Sequence, residues 1–158
     1  MIRLLILSLA LTTPTWAAGD HPLEAPLAAA TQNARAAKAL GLVYDDVHGL
    51  YGGDRYTLAG RVLTHVHQPR GGQPPIETRV TLTPIQLQEL AVLLQNQALW
   101  DQREPERKPR PDESRARLTI TADGASAQVW EWYNDLAAND RLIRVRALLD
   151  RWSDGGAP

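Results

Sequence analysis

Three observations predict an α+β domain with a single antiparallel sheet of about five strands and two helices packed on one face, plus a possible N-terminal helix. Residues 55–68 and 115–133 each show apolar and polar side chains alternating with period two, folded back at a glycine. The dipeptide Asp123-Gly124 is a strong two-residue hairpin signal between two such runs. Helix-spaced segments at 83–100 and 139–152 stand between and after the strand groups, an order that suits helices on one face of an antiparallel sheet.

The chain begins with Arg3, an apolar run Leu4–Leu11 broken only by Ser8, and a small, polar stretch Thr12–Ala18. That is the n-, h- and c-region order of a secretory signal. A run of roughly eight residues is far short of the roughly 20 that span a bilayer. Residues 1–17 are therefore expected to be a signal peptide, with the mature chain in the periplasm or the medium and no membrane insertion after cleavage. Thr15 and Ala17 suit cleavage after Ala17, and Ala17 and Gly19 suit cleavage after Gly19. A cut after Ala18 fits poorly because Trp16 would stand at −3.

The 158 residues carry a formal charge of −1, and removal of Arg3 with the signal makes it −2. That balance gives no support for nucleic acid as a partner. Cysteine is absent, so neither a disulfide nor a lipidated N-terminal cysteine is available.

The mature chain divides into an N-terminal helical or mobile segment, 18–45, a single α+β domain, 46–153, and a tail, 154–158. Residues 22–41 are alanine-rich, their Ala, Leu, Arg and Lys residues favour helix, and Gly41 is a candidate helix C-cap. Arg55–Leu58 and Val62–Val66 form two strands about an Ala59-Gly60 turn, and Ile76–Leu82 a third after a Gly/Pro loop. Thr83, Pro84 and Gln86 form a helix start of the capping-box type, followed by Leu87, Leu90, Ala91, Leu94 and Ala98 on one face. Residues 101–114 are charged and broken by three prolines, which predicts an exposed loop. Strands over 115–122 and 125–133 follow. Asn139 caps a last helix with Leu142, Val145, Leu149 and Trp152 on one stripe.

Leu50-Tyr-Gly-Gly53, Gly60, Pro111-Asp-Glu113, Asp123-Gly124 and the Trp132-to-Asp135 exit into the last helix together resemble small exported bacterial proteins of unknown function. The resemblance covers 47–152 and implies the same β-β-β-α-β-β-α order. It implies no activity and no catalytic residue.

Catalytic motifs are lacking. The mature chain's serines, Ser114, Ser126 and Ser153, lie in no Gly-x-Ser-x-Gly elbow, and Gly52-Gly53 lacks the rest of a phosphate loop. The residues favour a non-enzymatic interaction or binding module for a protein or small ligand, with no cofactor expected. A metal-binding protein is the alternative, and a hydrolase with an unrecognised site the third.

Two places carry candidate sites. His65 and His67, two apart on a strand, share a face. With the turn at Ala59-Gly60, Asp54 stands opposite His65, which allows a His–Asp–His cluster for Zn, Cu or Ni or a plain strand end with one imidazole bonded to Asp54. A cut after Ala18 would also place His21 third in the chain, the arrangement of a square-planar Cu(II) or Ni(II) site. Counting back from Asp123-Gly124 pairs Leu118 with Val129 on the apolar face, and Arg117 with Trp130 and Arg115 with Trp132 on the other. Guanidinium over indole is favourable. Those rings are covered by the Arg stems, covered by residues 22–41, or left open as a binding surface, where Trp and Arg are the usual anchors.

Overall fold

The computed structural model describes residues 21–154; the signal segment and its cleavage sites lie outside them. Two short helices, α1 (Glu24–Gln32) and α2 (Ala34–Lys38), lead into strand β1 (Gly41–Asp45). Then come β2 (Gly53–Ala59), β3 (Val62–Gln68), β4 (Ile76–Thr81), α3 (Pro84–Gln97), β5 (Arg115–Ala122), β6 (Ala125–Trp132) and α4 (Asp140–Ser153). The strands form one antiparallel sheet in the order β4-β3-β2-β1-β5-β6.

The sheet has six strands where about five were expected, and the additional one is central. Gly41, expected to cap a helix, opens β1 opposite Thr121, where an added Cβ would stand 2.3 Å from Thr121 Oγ1. Glycine lets two strands approach at that point. The helix expected over 22–41 is divided by Asn33, whose backbone is extended and whose side chain accepts from the amides of Arg35 and Ala36 to cap α2. The sequence reading starts the folded domain at residue 46, yet Leu23, Leu27, Ala30 and Leu40 share one core with the strands.

Side chains of one sheet face meet the helices in that core. Leu42 and Tyr44 of β1, Tyr56 and Leu58 of β2, Leu63 of β3, and Leu118, Ile120 and Val129 of the last hairpin are buried with Leu87, Leu90, Leu94, Val145 and Leu149. The β5–β6 register is the expected one, Leu118 with Val129, Arg117 with Trp130 and Arg115 with Trp132. Asp123 and Gly124 both take positive φ, as a tight turn with the twist of its strands requires. The caps also form as expected: Thr83 and Gln86 make a reciprocal capping box on α3, and Asn139 Oδ1 accepts from the Leu142 amide at 3.1 Å. Among the described residues no helix is long and apolar enough to cross a membrane.

Candidate functional site

The turn between β2 and β3 lies at Gly60-Arg61, one residue later than expected, because Gly60 adopts φ +62° while Ala59 pairs with Val62. Moving the turn by one residue slides the register by two, so every side chain keeps its face. Asp54 now stands opposite His67, and Tyr56 opposite His65.

The three expected residues still meet. His65 Nε2 and His67 Nδ1 each lie 2.8 Å from Asp54 Oδ1, which accepts from both rings. His65 also stacks on Tyr56, centroids 4.4 Å apart. The other Asp54 oxygen accepts from Arg146 Nη2 at 2.5 Å, and the same guanidinium bonds the buried Asp46. Asp46 in turn accepts from Tyr44 Oη at 3.2 Å and from the Asp54 amide at 2.8 Å, while Tyr56 Oη donates to Asp150.

Burial raises the Asp46 carboxyl above its ordinary value. Burial pushes Asp54 the same way, but the bonds from His65 and His67 and the Arg146 charge outweigh it and hold that carboxyl low. The two imidazoles thus converge on one oxygen of a carboxylate whose other oxygen is bonded to the Arg146 guanidinium. Among the described residues no three or more His, Asp or Glu are arranged to hold a metal ion. His21 stacks on Trp100 at 5.7 Å, and its Nδ1 accepts from the Leu23 amide. Residues 19 and 20 lie outside the described chain, and with them the square-planar arrangement.

The opposite sheet face carries the second candidate. Arg115 lies over both indoles, 4.1 Å from the Trp130 ring centroid and 4.9 Å from that of Trp132. The loop 101–114 is not simply exposed. Arg107 lies over Trp132 at 5.3 Å, its carbonyl accepts from Trp132 Nε1 at 3.1 Å, and its guanidinium pairs with Glu113 and Asp135. Trp132 is thereby only 4% exposed, covered by the loop and Arg115, while Trp130 stays half-buried under Arg115. Residues 22–41 do not cover the rings; they pack on α3.

Beside that cover runs a groove of about 380 Å³, lined by Val47, Pro109, Ser114 and Trp132 together with Asp45, Glu113, Arg115 and Arg117. Its two carboxylates are engaged elsewhere. Asp45 accepts from Arg55 at 2.5 Å, and Glu113 accepts from Arg107 at 2.6 Å, which pulls its carboxyl down to about 2. Among the described residues Arg115 and Arg117 make no ion pair, and Ser114 Oγ is buried without a hydrogen-bond partner.

Arg146 and Arg107 escaped sequence reasoning, while Asp46 and Glu113 read only as halves of the adjacent-carboxylate pairs Asp45-Asp46 and Asp112-Glu113 in solvated loops. For Arg146 a signal existed, since it lies four residues after Leu142, beside the apolar stripe of α4. For Arg107, inside a charged loop, none did. No family model matches the chain, and no curated protein or solved structure is similar to it.

Proposed function

We propose that the mature chain is an exported, non-enzymatic binding module that holds an acidic group of a protein or small ligand in the groove beside Trp132. One observation carries the reading: both carboxylates of the groove are neutralised by other arginines, which leaves Arg115, stacked on the indoles, and Arg117 as its charges without an ion pair among the described residues. Guanidinium groups suit bidentate recognition of carboxylate, and the apolar parts of Val47 and Pro109 supply contact area beside them. Ser114, the groove's hydroxyl, is bonded to no base that could activate it.

Titration with a Glu-rich peptide, followed by calorimetry, tests the proposal. Saturable binding is expected, weakened by salt and reduced about tenfold or more in Arg115→Ala/Arg117→Ala, because each lost charge-assisted bond is worth about 1.5–3 kcal/mol. Equal binding by wild type and the double variant would end the proposal, as would no binding at millimolar peptide.

A further inference from the structure

We infer that two copies of this chain pair edge to edge through β4, joining their sheets about a two-fold axis at Thr78. The inference is independent of the groove, which lies at β1 and β5.

The backbone pattern shows which groups are free. The two-residue turn Gly60-Arg61 makes Ala59 and Val62 the closing hydrogen-bonded pair, so the amide and carbonyl of Val62 point to β2 and those of Leu63 to β4. In agreement, the Leu82 amide donates to the Arg61 carbonyl at 2.8 Å. The hydrogen-bonded pairs of β3 and β4 are then Leu63 with Val80, His65 with Thr78 and His67 with Ile76. Glu77, Arg79 and Thr81 consequently turn their amides and carbonyls to the open side of the sheet.

The two sheet edges are treated differently. Along β6, Gln102 Nε2 donates to the Trp130 carbonyl and Glu131 Oε1 accepts the Trp132 amide, both at 2.9 Å. Side chains thus occupy part of that edge. Along β4, no side chain of the described residues bonds the outward groups of Glu77, Arg79 or Thr81. The strand itself has no proline or bulge to blunt the edge, its charges Glu77 and Arg79 are of opposite sign, and Ile76 is 60% exposed.

The strand is also complementary to itself. Antiparallel pairing centred on Thr78 puts Glu77 opposite Arg79 of the second copy and Arg79 opposite Glu77 of the second copy. These two pairs supply about four backbone hydrogen bonds. Ile76 meets Val80 of the second copy on the helix-side face, an apolar pair. Shifting the axis to Glu77 or to Arg79 would oppose like charges, which is unfavourable. Such a contact is isologous and closes at two copies. In the single chain Arg79 Nε bonds Glu77 Oε1 at 2.7 Å, a pair on the exposed face that can be exchanged for its cross-copy equivalent at little cost.

Sedimentation equilibrium of the mature chain from about 1 to 300 μM tests the inference, a range that covers the affinity of a small interface. A dimer is expected. Arg79→Pro removes one outward amide and no bond to β3, and should raise Kd about tenfold or more. Glu77→Arg and Arg79→Glu should each weaken the dimer, and the double exchange Glu77→Arg/Arg79→Glu should restore it. If Arg79→Pro does not fold, the exchange series decides, because it leaves the backbone intact. Hydrogen exchange at the Glu77 and Arg79 amides should slow as concentration rises. A monomer throughout the range overturns the inference, including one that takes up an extended peptide along this edge instead. So does a dimer whose Kd ignores the charge reversals or whose Glu77 and Arg79 amides stay fast.

Discussion

Asp54 and His67 face each other across the β2–β3 ladder, and Asp54 Oδ1 lies 2.8 Å from His67 Nδ1. The carboxylate that receives both imidazoles is also tied to Arg146 of α4, 92 residues away in the chain. The polar end of the sheet is thus clamped to the last helix by one guanidinium shared between two acidic side chains.

Removing that guanidinium leaves Asp46, which is buried, and Asp54, which is nearly so, without their cation. Arg146→Met is expected to cost about 3–5 kcal/mol in urea unfolding at neutral pH, the range for breaking one side of a buried ion pair. Adding Asp46→Asn should recover part of that loss. A cost below about 1 kcal/mol would show that water, rather than Arg146, compensates the two carboxylates.

The loop over Trp132 should come loose in acid. Glu113 is held at about 2 by Arg107, below its ordinary value. A carboxyl whose folded pKa is depressed contributes stability that is complete above its unfolded pKa and is lost as pH falls through the folded one. Indole N–H exchange of Trp132 should therefore rise between about pH 4.5 and 2, and Glu113→Gln should show the faster exchange already at neutral pH. A Trp132 signal indifferent to both changes would rule out this pairing as the loop's anchor.

Gly41 has a neighbour that its replacement would strike. Gly41→Ala should cost about 1–3 kcal/mol, the usual penalty of overpacking, because the new Cβ would stand 2.3 Å from Thr121 Oγ1. Thr121→Ala in the same chain should restore most of the stability. Additive losses in the double variant would place the strain elsewhere.

Leu118 is fully buried between β1 and β6. Leu118→Ala should lower the unfolding free energy by about 2–5 kcal/mol. A loss under about 1 kcal/mol would mean that this part of the core is loosely packed.

The β5–β6 hairpin was readable residue by residue, because Asp123-Gly124 admits one tight turn and the turn sets every pairing beyond it. The same holds for the starts of α3 and α4, where Thr83, Gln86 and Asn139 satisfy amides within three residues of themselves. The His65–Asp54–His67 grouping survived an error in the turn because a register change of two preserves faces. These features rest on contacts that are local, or that one turn makes local.

The central strand was not readable. Gly41–Asp45 has five residues behind an alanine-rich helical stretch, and it becomes a strand by pairing with β2 and β5 on either side. Nor could loop 101–114 be placed, since its prolines exclude regular structure without saying which surface it crosses. Arg107 finds Trp132 25 residues away, and Arg146 finds Asp46 100 residues away. The sequence alone determined the fold class, the helix caps and the faces of the strands, all consequences of backbone chemistry over a few residues. The tertiary structure decided which charges pair and which indole is covered, because those partners meet only after the helices have packed on the sheet.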